Sequence, residues 1–120
     1  MNKRKTGKEY ERLASDYLIR KGFIILEQNF SCRSGEIDLI CLDKHELVFV
    51  EVKYRSMGRS GSALEAVNIR KQIQISRIAI YYLMKTGRSM DCPCRFDVVG
   101  IDGVSISHIE NAFNAMGVHL

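Results

Sequence analysis

Two strand-like stretches of this chain carry charged residues where apolar ones are expected. Gly35-Glu36-Ile37-Asp38-Leu39-Ile40-Cys41-Leu42 and Leu47-Val48-Phe49-Val50-Glu51-Val52-Lys53-Tyr54 are otherwise β-branched, aromatic or apolar. Side chains alternate across a strand, so Glu36, Asp38 and Ile40 share one face of the first stretch, and Phe49, Glu51, Lys53 and Arg55 one face of the second. Paired as neighbours, the two strands bring three carboxylates and a lysine together. At an effective dielectric of ~20, two like charges ~4 Å apart repel by about 4 kcal/mol, so Lys53, Arg55 or a bound cation must compensate. A hard, oxygen-seeking ion such as Mg2+ or Mn2+ suits a site with one or two carboxylates. The chemistry open to such a site is phosphodiester hydrolysis: the ion polarises the phosphate and lowers the pKa of a bound water, and a lysine orients that water and neutralises developing charge. On this reading Asp38 and Glu51 hold the metal, Glu36 adds a carboxylate on the same face, and Lys53 serves the water. Val52 points the other way into the core, and its backbone carbonyl remains as a further oxygen ligand. A bare Glu-x-Lys is common, and the plain alternative is a partly exposed ion pair on a half-solvated sheet.

These residues need elements to hold them. From about Gly7 to Lys21, Tyr10, Leu13, Ala14, Tyr17 and Leu18 recur at helical spacing, and Gly22 follows as a C-cap. Phe23-Ile24-Ile25-Leu26 and the two charged stretches read as three consecutive strands, and a connector as short as Asp43-Lys44-His45-Glu46 predicts an antiparallel meander. Beyond a loop containing Gly58 and Gly61, the stretch from Ser62 to Lys85 is helix-prone and free of proline. It is apolar on two sides: Ala66, Ile69, Ile73, Ile80 and Leu83 on one, expected to cover the sheet, and Val67, Ile75, Ile78 and Tyr82 on the other, expected against the first helix or another subunit. A polar stripe of Arg70, Gln74 and Arg77 runs between them. Arg95–Ile101 reads as a fourth strand and Val104–Ser107 as a short fifth, before a helical turn near Asn111 to Met116. The order is α-β-β-β-α-β-(β), an α/β fold.

With 120 residues and 46% hydrophobic content, one domain over 1–120 is expected. No apolar signal core and no apolar run of membrane-spanning length appears, so a soluble cytoplasmic protein without membrane partners is expected. Cys32, Cys41, Cys92 and Cys94 form no Cys-x-x-Cys pair and are read as free thiols. The net charge is +4, and Lys3, Arg4, Lys5 and Lys8 crowd the first eight residues into a basic arm. Such an arm is either a solvated terminus or a foothold on phosphates, and Arg55, Arg70 and Lys71 are further candidates for phosphate contact.

Gly7-x-x-x-Glu11-x-x-Ala14-x-x-Tyr17-Leu18, Gly35-Glu36-Ile37-Asp38-Leu39-Ile40, Val48-Phe49-Val50-Glu51-Val52-Lys53-x-Arg55 and Arg95-Phe96-Asp97-Val98-Val99 together resemble the YraN-like family of small bacterial proteins, over nearly the whole chain. That family resembles in turn the PD-(D/E)xK restriction-endonuclease-like superfamily, including the archaeal Holliday-junction resolvases. The resemblance implies a central mixed sheet flanked by helices. It implies Glu11 as a helix carboxylate, Asp38 as the central metal ligand, Glu51 as the second, and Lys53 as the water-positioning base. It further implies a nuclease acting on nucleic acid, DNA favoured over RNA, working as a homodimer because each small subunit offers one site. The alternative is a nucleic-acid-binding or scaffold protein that kept the fold and lost turnover. Ile37 stands where the motif has proline, a backbone-shaping position outside the ligand set. Glu11 lies at the edge of its helix's apolar stripe, where it can turn toward the sheet.

Overall fold

A computed structural model describes residues 7–55, 67–103 and 105–115. Helix α1 (Gly7–Arg20) buries Ala14, Ser15 and Leu18. It stops at Gly22, whose φ of +100° favours glycine. There the Phe23 N–H donates to the Leu18 carbonyl (3.0 Å) and the Gly22 N–H to that of Ile19 (2.9 Å), a Schellman closure that tucks Phe23 into the core.

Strands β1 (Ile24–Cys32), β2 (Gly35–Asp43) and β3 (Glu46–Arg55) form the antiparallel meander that the short connectors require. Helix α2 (Ile69–Lys85) then carries the chain over to β4 (Cys94–Asp102), which lies parallel to β3, and β5 (Ser105–Phe113) closes the far edge antiparallel. All five strands form one mixed sheet in chain order. The α/β class and the α-β-β-β-α-β-β order agree with the sequence reading.

The helices lie on opposite faces. Alternation along β3 sends Val48, Val50 and Val52 to the α1 side, with Ala14, Leu18, Phe23 and Val99, and sends Leu47 and Phe49 to the α2 side, with Ile75, Ile78, Tyr82 and Phe96. Glu51 and Lys53 follow the α2-side phase.

Three local expectations change. Of the helix expected over 62–85, residues 62–66 lie outside the described residues, and Val67 and Asn68 precede the first turn. Asn68 is the N-cap, its Oδ1 accepting from the Lys71 N–H at 2.9 Å. The apolar side carrying Ile75, Ile78 and Tyr82 covers the sheet together with Leu83, whereas Ile69 is exposed and Ile73 and Ile80 are half-buried. The small residues Ser76 and Ala79 are buried on that same side. Third, Asn111–Phe113 continue β5 instead of forming a helical turn; Met116 lies outside the described residues. Register shifts between Phe96 and Val98, and Asn111 adopts φ +52° with its N–H donating to Asp97 Oδ1 (3.0 Å). A buried carboxylate thus holds a bulge that lets the strand run on.

Candidate functional site

The β2–β3 ladder runs from Asp43↔Glu46 to Leu39↔Val50 and ends there. Beyond it the strands part, and the side chain of Asp38 spans the fork: Oδ2 accepts the Val52 N–H at 2.8 Å in place of a ladder bond. Alternation along β2 breaks at the same point, since Ile37 and Ile40 both join the α2-side core while Leu39 faces α1. The expected grouping of residues 36, 38 and 40 on one face therefore does not hold. A strand residue directs its N–H and C=O to the same side, so the Val52 carbonyl faces the fork as well.

Glu51 projects from β3 beside Asp38, only 3% exposed. Its Oε1 is buried and has no hydrogen-bond partner among the described residues. The Lys71 ammonium lies 3.4 Å from that oxygen, near enough for Coulomb attraction but without the alignment of a hydrogen bond. Burial, a hydrogen bond shared with Asp38 and the Asp38 charge push the Glu51 carboxyl up to about 9, against the opposing pull of Lys71 and Lys53. A buried oxygen left in this condition costs free energy unless something binds it.

On the α2 side, Lys53 opens into a cleft of about 550 Å³ lined also by Ser34, Asn68, Arg70, Lys71, Ile73, Gln74 and Arg77. Four of these residues are cations, and none of the described lining residues is a carboxylate. The cleft wall is tied together where Gln74 Nε2 donates to the Ser34 carbonyl (2.9 Å). Gly35 next to it combines φ +135° with a close approach, for a Cβ there would run into the Gln74 amide. The positive φ is what calls for glycine, since the end of the Gln74 side chain can move aside.

On the α1 side, Glu11 is half-buried and lines a second cavity, of about 620 Å³, with Lys8, Arg12, Gln28 and Asn29 among others. Burial raises its pKa, the charges of Asp38 and Glu36 raise it further, and a hydrogen bond with Asn29 and the nearby Lys8 oppose the rise. Asp38 at the fork is thus flanked by Glu11 from one face and by Glu51 from the other. Glu36 is exposed, its Oε2 taking a hydrogen bond from Ser31 Oγ (3.3 Å). Among the described residues no three His, Cys, Asp or Glu side chains converge as a ready-made metal cage, so Glu36 is not brought into one with Asp38 and Glu51. Lys3, Arg4, Lys5 and the side chain of Arg55 lie outside the described residues. Tyr54 stacks on Tyr10 with ring centroids 4.1 Å apart, and Tyr82 is core.

Sequence reasoning missed Ser34, Asn68 and Asn29. Asn68 was open to discovery, as an N-cap type directly before a helical run; Asn29 depends on its φ of +52° and on the β1–α1 approach, which no local pattern announces.

A hard cation fits the residues present. Asp38, Glu51 Oε1 and the Val52 carbonyl are oxygen donors around one fork, and an ion of the Mg2+ type keeps several waters and takes further oxygens from a substrate, so it needs no closed cage. The four cysteines are free, and burial pushes the Cys41 thiol up to about 12, which leaves it an inert core residue. No described helix is long and apolar enough to cross a membrane.

The model of the family described as "Uncharacterised protein family UPF0102" matches residues 10–101. Among relatives, a UPF0102 protein of Photobacterium profundum is 51% identical over 104 residues, covering 86% of this chain and 83% of the relative. One from Nitrosococcus oceani is 46% identical over 98 residues (82% and 79%). Another, from Lachnoclostridium phytofermentans, is 44% identical over 117 residues, 98% of this chain and 99% of its own. The matched segment contains Glu11, Asp38, Glu51, Lys53 and Lys71, and with them the whole fork, α2 and α1 from Tyr10 onward: the chain belongs to the UPF0102 family.

Proposed function

We propose that this protein is a metal-dependent nuclease that hydrolyses phosphodiesters in nucleic acid, with structured DNA as its preferred substrate. One observation carries the reading: a buried carboxylate oxygen of Glu51, without a hydrogen-bond partner among the described residues, stands beside Asp38 and against a cleft lined by Lys53, Arg70, Lys71 and Arg77. A carboxylate pair alone repels phosphate, and a cationic cleft alone binds it without cleaving. Side by side, the two match the needs of phosphoryl chemistry.

Asp38, Glu51 and the Val52 carbonyl would hold Mg2+ or Mn2+. When bound, the ion supplies Lewis acidity toward the phosphate and a water of lowered pKa. The other tasks fall to the protein. Arg70, Arg77 and Lys71 bind the phosphate backbone along the first turns of α2, and Lys53, one side-chain alternation beyond Glu51, orients the attacking water and offsets charge growing on the phosphate oxygens. Glu11, hydrogen-bonded to Asn29, adds a carboxyl near Asp38 from the other face. The apolar walls on both sides of β3 keep bulk water from the carboxylates.

The test is a cleavage panel of four-way junction, flap, single-stranded and duplex DNA, and RNA, with Mg2+ or Mn2+. Cleavage of at least one substrate is expected, reduced about 10²–10³-fold by Lys53→Ala, the size of effect such a group supplies, and abolished by Asp38→Ala. Cleavage that persists equally in Lys53→Ala belongs to a contaminant and ends the reading. Salt-sensitive binding without turnover, in the presence of either ion, would establish the nucleic-acid-binding alternative in its place.

A further inference from the structure

Lys71 sits between the two halves of the site. Its backbone is fixed in the first turn of α2, with the N–H donating to Asn68 Oδ1. Its side chain, 31% exposed, stretches from the solvent-facing cleft to the buried Glu51 Oε1. If this were a permanent structural ion pair, it would be built like the other buried pair on the sheet, where Arg95 Nε and Nη2 meet the Asp97 oxygens with hydrogen-bond alignment at 3.0 and 3.2 Å. Lys71 reaches Glu51 at 3.4 Å and leaves Oε1 without a hydrogen bond. A lysine ammonium is a compact charge on four flexible carbons, free to swing without moving its helix. The cleft toward which it can swing offers Lys53, Arg70 and Arg77, an environment that draws in an anion.

We propose that Lys71 is a clasp: its ammonium stands against Glu51 Oε1 as a substitute for the divalent cation, and leaves it when a nucleic-acid phosphate enters the cleft, so that cation and nucleic acid bind cooperatively. This rests on the reading of Asp38 and Glu51 as metal ligands and adds its regulation. The ammonium and the divalent ion compete for one oxygen and repel one another. A phosphate that takes the ammonium away removes both obstacles. Because linkage is reciprocal, the ion must tighten nucleic-acid binding by the same factor by which nucleic acid tightens the ion. The arrangement also restrains the protein from holding a hydrolytic metal in the absence of substrate.

The experiment measures Mn2+ affinity by electron paramagnetic resonance on the full chain, with and without phosphorothioate-substituted duplex and four-way-junction DNA, so that turnover plays no part. For the wild type, DNA is expected to tighten Mn2+ at least about tenfold, a factor that corresponds to about 1.4 kcal/mol. Lys71→Met, which keeps the aliphatic reach and loses the charge, is expected to bind Mn2+ about tenfold more tightly than wild type without DNA, and to gain less than threefold from DNA. Lys71→Gln serves as a second variant, with thermal unfolding followed for each. If the variants bind Mn2+ no more tightly than wild type, or if DNA tightens Mn2+ equally in all three proteins, the clasp is wrong while the metal site stands. If no protein binds Mn2+ under any condition, the metal reading falls and the clasp with it.

Discussion

Glu51 and Asp97 are carboxylates on the adjacent central strands β3 and β4, 3% and 0% exposed. Their surroundings are opposite. Asp97 takes hydrogen bonds from Arg95 Nε and Nη2, from the Asn111 N–H and from His108 Nε2 (2.7 Å). Arg95 in turn reaches Asp43, Glu46 and Glu110, and His108 Nδ1 faces Lys21 Nζ at 2.8 Å. An ammonium can only donate, so His108 Nδ1 accepts from Lys21 and Nε2 donates to Asp97. Burial alone would raise the Asp97 pKa; the bonds from His108, Arg95 and Asn111 overcome it and hold the carboxyl below its usual range. Glu51 has one misaligned lysine and a second carboxyl for company, and its pKa moves up. A carboxylate whose oxygens are saturated by its own chain is a structural part; Glu51, at the same depth, keeps one oxygen without a hydrogen bond among the described residues.

The sharpest way to break this contrast is Asp97→Ala, which takes the Nε and Nη2 bonds from Arg95, leaves His108 Nε2 and the Asn111 N–H without their partner, and frees the β5 bulge. A loss of about 3–5 kcal/mol is expected in denaturant unfolding, the cost of removing one partner from a buried pair. A loss below 1 kcal/mol would deprive Asp97 of its structural role. Glu51→Gln should do the reverse in metal-free buffer near pH 8, stabilising the fold by about 1–3 kcal/mol, because an uncharged amide replaces an ill-matched carboxyl.

The pH dependence carries the same signs. A carboxyl raised from 4.5 to about 9 on folding makes the folded state hold a proton that the unfolded state has lost. Metal-free stability therefore falls as pH rises through that window, by at most about 1.4 kcal/mol per pH unit for one proton, and Glu51→Gln should flatten the slope. The Asp97 contribution runs the other way: present above the ordinary carboxyl value of 3.8 and lost as pH falls through its lowered one. The smallest effect is expected from Lys21→Ala. Its links to His108 and Glu110 sit at the rim, Lys21 and Glu110 being 35% and 50% exposed, and its loss should cost less than about 1 kcal/mol in the same unfolding assay.

Much of the Glu51 side of this comparison was legible in the chain, and almost none of the Asp97 side. Glu51 and Lys53 interrupt an apolar strand at a spacing of two, and the periodicities of α1 and the meander are local, so the residues themselves announce them. The ladder's end at Leu39↔Val50 and the phase break at Asp38 depend on how strongly two strands twist apart, which has no composition signature. The Asp97 pair with Arg95 joins residues two apart on one strand. His108, however, gains its role only through the pairing of β4 with β5 and the docking of Tyr17 and Phe23 around its ring. Such a network is non-local by nature. The choice between the two apolar sides of α2 failed for a related reason: periodicity locates stripes, and only the sheet decides which stripe it covers.

The fork at Asp38 has a consequence for how the molecule is divided. Asp38 and Val52 are 14 residues apart on one hairpin, so the oxygen donors belong to a single short stretch of chain. The cations Arg70, Lys71 and Arg77 come from the crossover helix, a separate stretch packed over it. The carboxyls and the helix cations thus belong to different segments that meet along one seam. Lys71 crosses that seam, from the cleft to Glu51 Oε1 on the hairpin, so a substitution on the helix can alter the surroundings of a hairpin carboxyl without touching the hairpin's own backbone.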